Sequence, residues 1–557
     1  MPMPGGSAAR HPPHRKLKNM AKHFIGIDVG TGSARAGIFD TQGNMIATAK
    51  RDIALFQDAR DIAEQSSRDI WAAVCASVRD AMKQCGVSPE DIAGLGFDAT
   101  CSLVVLGPEG APLAVGAHGN KDRNIIVWMD HRAIDQAHRI NAAGHPILKY
   151  VGGTISPEMQ TPKLLWLKEH LPATYDAAWQ FFDLADFLTW RATGSLARST
   201  CTVTCKWTYL AHDSRWDESY FHEIGLGDLA EDGFHRIGTV IVPGGEALAQ
   251  GLTAAAAAEL GLLAGTAVGA GLIDAHAGGI GSVGASGADG DSMSRLAYVF
   301  GTSACTMASS TAPLFIPGVW GPYYSAMISG LWLNEGGQSG AGAAIDQLIA
   351  HHAAFPEASN AAACAGKSVP SWLADQAAGR ESDLSYVVHS AGNVHVVPDF
   401  LGNRSPLADP EARAVIAGLG MERDIQSLVS LYVAGALGVG YGLRQIIEAS
   451  RKEGASIGSI AISGGAGSHP LVRQLLADCT GLPVLVSAQS DPVLLGAAML
   501  GASASGSFSS LEAAMQAMSS VGETFKPAGG AIAELHDRRY RAFKALQHTA
   551  RLVRDMA

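Results

Sequence analysis

The hydrophobic positions of the chain open with three short apolar segments that are separated by turn residues. FIGIDVG begins at Phe24, and ARAGIFD and MIATAK follow it, with GTGS and TQGN in between. Short apolar segments bounded by Gly, Thr and Asn are typical of strands joined by tight turns. In residues 66–84 apolar residues recur at helical spacing, and IAGLGFDATCSLVVL then resumes the strand pattern. The pattern predicts an α/β fold that opens with a β-meander.

A second copy of the opening pattern lies about half a chain further on. RLAYVFGTSACTMAS, around residue 300, has the same order of strand, Gly-Thr-Ser loop and strand as HFIGIDVGTGSARAG, around residue 30. Two copies of one supersecondary unit predict two domains of related topology that face each other across a cleft. The Gly-, Ser- and Asp-rich segment 284–293 precedes the second copy. We therefore predict an N-terminal domain of residues 22–285 and a C-terminal domain of residues 286–557.

Glycine loops interrupt the second half of the chain. WLNEGGQSGAGAAIDQLIAHH predicts strand, glycine loop and helix, and SIAISGGAGSHPLVRQLLADCTGLPVLVS predicts strand, glycine loop, helix and strand. Such loops at strand ends are where ligands bind in α/β sheets. Residues 260–273 and 427–443 are apolar, but each stretch is shorter than the roughly 18 residues of a membrane span. A buried strand and a buried helix are predicted there.

Composition narrows the class of partner. A chain of 557 residues exceeds the roughly 250–300 residues of a single core. A net charge of −11, with no basic run in the body of the chain, argues against a nucleic-acid or anionic-membrane surface and favours a small-molecule partner. Eight cysteines without a CxxC pair indicate neither a zinc site nor a redox motif, and fit reduced thiols in the cytoplasm. Residues 1–21 lack the apolar core of a signal peptide, and a disordered extension is predicted.

The loop GTGS has the composition of a phosphate-binding loop. Gly30, Thr31, Gly32 and Ser33 offer backbone N–H groups with little side chain in the way. The loop is neither a Walker A loop nor a dinucleotide fingerprint, because GxxxxGK[ST] is absent and no helix follows the glycines. A plain glycine turn is the structural alternative. Asp28 just before the loop, the second GTS at 301–303 and the glycine pair at 464–465 favour phosphate.

Taken together and in order, the motifs resemble one family. DVGTGSARAG, WMDHRA, PKLLWLKE, GLIDAHAGG, FGTS and ISGGAGSHPLVRQ follow one another as they do in the FGGY carbohydrate kinases. Within that family the chain most resembles the D-ribulokinase group, through SPEMQTPKLLWLKE, FFDLADFLTWRATG, CKWTYLAHD, GVWGPYYSAM, WLNEGGQSGAG and GNRSPLAD. The resemblance implies two actin-like, ribonuclease-H-like domains with an interdomain catalytic cleft for ATP and sugar.

The resemblance also implies roles for individual residues. Asp274 of GLIDAHAGG would be the general base, and His276 a structural residue. Asp28 would hold Mg²⁺ through water. The ATP-binding residues would be Gly30, Thr31, Gly32, Ser33 and Arg35 in the first loop, Gly301, Thr302 and Ser303 in the second, and Gly342, Asp346, Gly464, Gly465 and His469 around adenosine. The sugar-binding residues would be Thr100, Cys101, Asp130, Lys206, Asp274 and Glu335.

The predicted activity is ATP- and Mg²⁺-dependent phosphorylation of a pentulose or pentitol, with D-ribulose to D-ribulose 5-phosphate foremost. Ribitol, L-ribulose and xylulose stay open, because hydroxyl stereochemistry is recognised by pocket geometry. Glycerol is disfavoured, since the chain lacks the Arg-Glu pair of glycerol kinases at FDATCS and their Gln after the catalytic Asp. An actin- or chaperone-like ATPase that binds a protein partner is the alternative from another class. A homodimer is left open.

Overall fold

The computed structural model describes residues 22–59 and 61–556. The predicted disordered extension, residues 1–21, lies outside the described residues. The strands of the N-terminal domain are β1 (His23–Val29), β2 (Ser33–Phe39), β3 (Met45–Asp52), β4 (Phe56–Ala59), β5 (Ile62–Gln65), β6 (Ile92–Ala99), β7 (Leu103–Leu106), β8 (Ile125–Ile126), β9 (Gln180–Asp183), β10 (Arg198–Ser199), β11 (Ile241–Val242), β12 (Ala267–Val268) and β13 (Leu272–Ile273). Its helices are α1 (Ser67–Cys85), α2 (Ile134–Ala143), α3 (Gln160–His170), α4 (Pro172–Ala177), α5 (Leu184–Thr193), α6 (Thr200–Lys206), α7 (Glu218–Glu223), α8 (Gly227–Glu231), α9 (Ala254–Leu260) and α10 (Asp274–Val283).

The C-terminal domain continues the same alternation of strands and helices. Its strands are β14 (Arg295–Phe300), β15 (Ala304–Ser310), β16 (Trp320–Tyr324), β17 (Trp332–Gln338), β18 (His395–Val397), β19 (Val415–Ala417), β20 (Ser459–Ser463), β21 (Val484–Ser487) and β22 (Val521–Phe525). Its helices are α11 (Gly342–Ala350), α12 (Phe355–Cys364), α13 (Val369–Ala378), α14 (Ile425–Lys452), α15 (Pro470–Thr480), α16 (Pro492–Ala504), α17 (Leu511–Met518) and α18 (Gly530–Asp555).

The two main sheets share one strand order. In the N-terminal sheet the order is β12-β6-β1-β2-β3, and in the C-terminal sheet the segment β21-β20-β14-β15-β17 repeats it. In each sheet the first strand pairs antiparallel with the strand after its loop and parallel with the strand on its other side. The opening β-meander, the near-repeat and the two-domain α/β architecture predicted from the sequence are therefore confirmed.

Helix α16 crosses from the C-terminal domain to the N-terminal sheet. A Cβ on Gly26 of β1 would overlap the backbone oxygen of Leu494, and a Cβ on Gly496 would overlap the backbone oxygen of Ala277 in α10. These glycines allow α16 to pack closely against both the sheet and α10. The helix that begins at Asp274 is thus fixed against the C-terminal segment. The predicted boundary at residue 285 therefore separates the two domains in sequence, whereas α16, which follows the boundary, packs against elements of the N-terminal domain.

One helix in the described part of the chain, α14, is long and apolar enough to cross a bilayer. Of its most apolar window, 67% is buried within the protein. Its buried residues include Leu431, Val433 and Leu437, which belong to the main core of the C-terminal domain. Residues 427–443 form a buried helix, as predicted, and residues 260–273 contain the short strands β12 and β13.

Candidate active site

A cavity of about 380 Å³ is lined by residues of both domains. The predicted site residues that line it are Asp28, Gly30, Thr31, Arg35, Thr100, Cys101, Lys206, Asp274, Gly301, Thr302, Ser303 and Glu335. A larger and more open groove of about 890 Å³, around Trp71 and Trp190, is lined by none of the predicted site residues within the described ranges. The fold therefore brings the phosphate, base and sugar candidates together in one cavity.

The loops after β1 and β14 are each closed by a backbone hydrogen bond from their first glycine. The N–H of Gly30 donates to the carbonyl of Ser33 at 3.0 Å, and the N–H of Gly301 donates to the carbonyl of Ser303 at 2.9 Å. Each loop is thereby closed into a tight turn at the end of a central strand. Gly32 and Ser33 lie on the first turn but do not line the cavity, so contact with ATP stays a prediction for both.

Thr31 is held in place by two side chains from elsewhere in the N-terminal domain. The indole N–H of Trp128 donates to Thr31 Oγ1 at 3.0 Å, and the side-chain amide of Gln65 donates to the Thr31 carbonyl at 2.7 Å. These bonds hold the first loop facing the cavity, which Trp128 also lines. Sequence reasoning gave Trp128 no role, although it lies within the WMDHRA motif.

Asp274 is the first residue of α10 and directly follows β13. The N–H of Ala275 donates to Asp274 Oδ1 at 2.7 Å, which orients the carboxylate at the helix N-terminus. Burial and the nearby charge of Asp28 raise the pKa of Asp274 to about 6. A carboxylate with a pKa closer to neutrality is a better proton acceptor at neutral pH than an ordinary aspartate. Asp274 thus combines position and basicity suited to a general base.

A second carboxylate lies beside Asp28. The parallel pairing of β1 with β6 places Asp98 opposite Asp28. Asp98 is fully buried, and neither of its carboxylate oxygens has a hydrogen-bond donor among the described residues. Burial and the neighbouring Asp28 raise the pKa of Asp98 well above its usual range. Such unsatisfied oxygen ligands suit a proton or a hard cation such as Mg²⁺. Asp98 is not among the site residues predicted from the sequence.

Arg35 neutralises part of this acidic cluster. It lies opposite Asp28 in the β1–β2 pair and donates its Nε–H to Asp28 Oδ2 at 2.8 Å. Its guanidinium also pairs with Asp491, which caps the N-terminus of α16. Arg35 therefore links the first phosphate loop to the C-terminal domain. Contact between Arg35 and ATP stays a prediction, since both partners seen here are carboxylates.

The far end of the cavity contains buried groups of opposite charge. Lys206 ends α6 and Glu335 lies in the middle of β17, and both are buried. Burial opposes ionisation of Glu335, but Lys206 and His276 outweigh it and lower its pKa to about 2. Lys206 Nζ also lies 4.8 Å from the centroid of the Trp320 ring. A charged pair beside an aromatic ring can bind vicinal hydroxyls by hydrogen bonds and one carbon face by packing.

Two further charged residues line the same end. Glu158 and Arg404 face the cavity, and Glu158 Oε1 lies 3.4 Å from His131 Nε2. Burial works against ionisation of Glu158, but His131 and Arg404 lower its pKa. Sequence reasoning missed both residues, although they lie in SPEMQTPKLLWLKE and GNRSPLAD, motifs that carry the resemblance. Those motifs could have indicated that both segments belong to the site, but not which of their residues contact the cavity.

Asp130 does not line the cavity. Its Oδ1 accepts the Nε–H of Arg132 at 2.8 Å, and its Oδ2 accepts the N–H of Ala63 at 2.7 Å. Asp130 is completely buried. The predicted contact between Asp130 and sugar hydroxyls is therefore corrected: this carboxylate ties the segment around WMDHRA to β5.

A second cavity of about 300 Å³ lies next to the second phosphate loop. Four predicted adenosine residues line it: Gly342, Asp346, Gly465 and His469. Gly464 does not, but it has φ of +93°, and a Cβ there would overlap the carbonyl of Phe300. Only glycine fits this position without strain.

The two cavities meet at one short segment. Phe300 lines the second cavity and Gly301 the first. The N–H of Gly342, at the start of α11, donates to the carbonyl of Gly301 at 3.0 Å. A nucleotide with its base in the second cavity would place its phosphates at this junction. The arrangement suits transfer of a terminal phosphate into the first cavity.

Comparison with known proteins agrees with this geometry. Residues 23–281 match the N-terminal domain, and residues 296–505 the C-terminal domain, of the FGGY family of carbohydrate kinases. The chain is 46% identical over 531 residues to a human FGGY carbohydrate kinase domain-containing protein, covering 93% of this chain and 94% of that protein. It is 41% identical over 519 residues to a D-ribulokinase of Saccharomyces cerevisiae, covering 88% and 72% of the two chains.

A solved structure shares the fold. The xylulose kinase of Rhodospirillum rubrum superposes with a TM-score of 0.78 at 22% identity, covering 96% of this chain and 99% of that one. At that identity the likeness concerns the architecture of two α/β domains. The matched domain pair, the relatives above and the cavity shared by both domains lead to one conclusion: the chain belongs to the FGGY family of carbohydrate kinases, which transfer phosphate to sugars.

Proposed function

We propose that the protein phosphorylates a pentulose with ATP, D-ribulose foremost, to give D-ribulose 5-phosphate. The observation that carries the proposal is the position of Asp274, which lines one cavity together with both phosphate loops and with Lys206 and Glu335. A base between a phosphate donor and a polyol site is what transfer to a hydroxyl requires. The similarity to a yeast D-ribulokinase supports the choice of sugar.

In the proposed mechanism, Asp274 accepts the proton of the attacking sugar hydroxyl as that oxygen forms its bond to the γ-phosphorus of ATP. The bond from the γ-phosphorus to the bridging oxygen of ADP breaks, and ADP leaves. A general base contributes about 10²–10⁴-fold to such a step. The rest of the rate would come from positioning and from stabilisation of charge on the phosphoryl group.

The backbone of the two loops would stabilise that charge. The loops Gly30–Ser33 and Gly301–Ser303 end the first strand of each sheet and carry small residues. Backbone N–H groups in such loops donate to phosphate oxygens without obstruction by side chains. The hydroxyls of Thr31 and Thr302 add donors at the same place. The repeated unit would thus hold the transferring group from both domains.

The acidic cluster fits Mg²⁺. Asp28 lines the cavity, and Asp98 beside it has two buried oxygens without a donor among the described residues. Carboxylates that bind the ion directly or through water are the ligands that magnesium prefers. The bound ion would neutralise charge on the β- and γ-phosphates. If Asp28 binds the ion and releases Arg35, the Arg35 guanidinium would still pair with Asp491.

The sugar end supports a polyhydroxylated substrate. Lys206 and Arg404 supply donors, Glu335 and Glu158 supply acceptors, and all four line the cavity. A cavity of about 380 Å³ accommodates a five-carbon sugar together with the phosphate it receives. L-Ribulose, xylulose and ribitol present the same kinds of groups in other arrangements, and they are the alternatives to D-ribulose.

A panel assay tests the proposal. ADP release would be measured with D-ribulose, L-ribulose, D-xylulose and ribitol at a range of concentrations, and the phosphorylated position determined by ³¹P NMR. We expect the highest kcat/KM with D-ribulose and phosphate on its terminal hydroxyl. A higher kcat/KM with another member of the panel would replace D-ribulose by that sugar. ADP release that needs no sugar would favour the actin-like ATPase alternative.

We further propose that the protein acts in the cytoplasm. All eight cysteines are free thiols in the structure, as a reducing compartment favours. Cell fractionation with an antibody to the protein tests this proposal.

A homodimer is the assembly to examine first, by light scattering at several protein concentrations.

A further inference from the structure

Behind the sugar end of the cavity, a cysteine and a histidine form a buried contact. Cys201 Sγ lies 2.9 Å from His276 Nδ1, and both residues are completely buried. Cys201 comes from α6, the helix that ends at Lys206, and His276 from α10, the helix that begins at Asp274. The contact therefore joins the two helices that present the base and the sugar-binding lysine.

The other face of the imidazole approaches Glu335. His276 Nε2 lies 3.4 Å from Glu335 Oε2, across the boundary between the two domains. Each ring nitrogen thus has a neighbour: sulfur at hydrogen-bond distance on one side, and a carboxylate at ion-pair distance, without hydrogen-bond geometry, on the other. A neutral imidazole has a single N–H, whereas an imidazolium has two. Only the imidazolium can donate toward both neighbours.

The surroundings of Cys201 favour an anionic sulfur. The backbone N–H of Ile273 donates to Cys201 Sγ at 3.4 Å, so the sulfur accepts a hydrogen bond from the backbone besides its contact with the imidazole. Burial opposes ionisation, yet hydrogen bonding by Cys205 and the charge of His276 lower the pKa of the Cys201 thiol. Burial opposes ionisation of His276, but Cys201 and Glu335 raise its pKa.

A second buried cysteine and histidine provide a contrast within the same chain. Cys479 Sγ lies 3.7 Å from His536 Nδ1 and donates to the carbonyl of Leu437 at 3.8 Å. Burial and nearby arginines lower the pKa of His536 to about 4. A sulfur that donates to a carbonyl is a thiol, and this histidine is neutral. The Cys201 pair differs because its sulfur receives donors and its histidine faces a carboxylate.

We infer that Cys201 and His276 form a thiolate–imidazolium pair that positions Glu335 for the sugar. The inference rests on the proposed placement of the sugar between Lys206 and Glu335. Cys201 and His276 do not line the cavity, so both are positioning residues. Without the positive imidazole, Glu335 would keep Lys206 as a partner and would turn toward it. The sugar hydroxyl that donates a hydrogen bond to Glu335 would then lose its acceptor.

Charge and packing make opposite predictions for two variants of Cys201. Serine is close to cysteine in size but stays neutral, while aspartate is larger and supplies an anion for His276. If the anion matters, Cys201→Ser raises the sugar KM about tenfold, the order expected for loss of a hydrogen bond to a charged group, and Cys201→Asp recovers part of the loss. The KM for ATP stays unchanged in both. If only packing matters, Cys201→Ser is the milder change.

The resting protein offers a readout that needs no sugar. A thiolate absorbs near 240 nm and a thiol does not, so we expect the absorbance of wild type minus Cys201→Ser to show one thiolate at pH 7. Cys479→Ser is the matched control, with a buried cysteine beside a histidine far from the cavity. We expect it to change neither the absorbance nor the sugar KM. Melting temperatures identify any variant that fails to fold, and His276→Gln then supplies an independent removal of the imidazolium.

The outcomes separate this inference from the proposed function. If the wild-type protein phosphorylates none of the panel sugars, the proposed function is contradicted. The thiolate absorbance then still tests whether Cys201 and His276 form an ion pair. Active wild type without a thiolate signal, or with Cys201→Asp worse than Cys201→Ser, overturns the inference alone. Stoichiometric metal in the purified protein that is lost in Cys201→Ser also overturns it, because Cys201, Cys205 and His276 would then be metal ligands.

Discussion

Lys206 and Arg404 both lie over the indole ring of Trp320, with Lys206 Nζ 4.8 Å and Arg404 Cζ 5.4 Å from the ring centroid. Lys206 belongs to the N-terminal domain, whereas Trp320 and Arg404 belong to the C-terminal domain. Because cations are attracted to the face of a tryptophan ring, the ring holds two positive groups from different domains at the sugar end. Substrate contacts there should depend on both domains.

Loss of Lys206 or Glu335 should weaken sugar binding selectively. We expect Lys206→Ala and Glu335→Ala each to raise the sugar KM at least about tenfold, because each removes a charged hydrogen-bonding group from the sugar end and a buried charge that favours ionisation of the other residue, while the KM for ATP changes little. Steady-state kinetics with each substrate varied in turn measures both constants. Lys168→Ala, which removes a surface pair with Asp228, is the control. Equal effects on the two constants would contradict the placement of Lys206 and Glu335.

Replacement of the base should separate chemistry from binding. In Asp274→Asn the amide keeps an oxygen for the N–H of Ala275 but cannot accept the proton of the sugar hydroxyl. We expect kcat to fall about 10²–10⁴-fold, the contribution of a general base, with ADP affinity and melting temperature unchanged. Calorimetric titration with ADP measures the affinity. Turnover close to that of wild type would exclude Asp274 as the base.

The raised pKa of Asp274 should set the acid limb of the activity profile. Burial and the charge of Asp28 raise the pKa of Asp274 to about 6. Below that pH the carboxylate is protonated and cannot act as a base, so kcat/KM should fall as the pH falls through about 6. Asp28→Asn removes a negative neighbour, which lowers the pKa of Asp274. We expect the acid limb of its residual activity to move to lower pH, and a limb that stays in place would contradict this coupling.

Local sequence pattern was enough to predict much of the fold. The β-meander, the repeated strand-loop-strand unit and the glycine loops each depend on residues close together in sequence. The sequence pattern does not predict the packing of α16 on the N-terminal sheet, because this packing depends on contact between Gly26 and the backbone near Leu494. The spacing of apolar residues within one segment does not predict a contact between residues so far apart in sequence.

The site residues also fall into those that short motifs predict and those that depend on tertiary contacts. The two phosphate loops and Asp274 lie in short motifs, and the structure brings them together. Glu158 and Arg404 reach the cavity only through tertiary folding, so their motifs indicated family without indicating contact. The resemblance predicts a contact between Asp130 and sugar hydroxyls. Arg132, two residues on, takes its carboxylate instead, a pairing that the Asp-x-Arg spacing could have suggested.

Filling the second cavity should impair nucleotide binding alone. Ala436, on α14, lines the cavity of about 300 Å³ next to Gly465 and His469. An indole at this position would occupy space proposed for the adenine base. We expect Ala436→Trp to raise the KM for ATP at least about tenfold, equivalent to a loss of about 1.4 kcal/mol, with the sugar KM unchanged. Ala363→Trp, on the exposed side of α12, controls for the added aromatic ring. An Ala436→Trp protein that folds normally and keeps the wild-type KM for ATP would place adenine elsewhere.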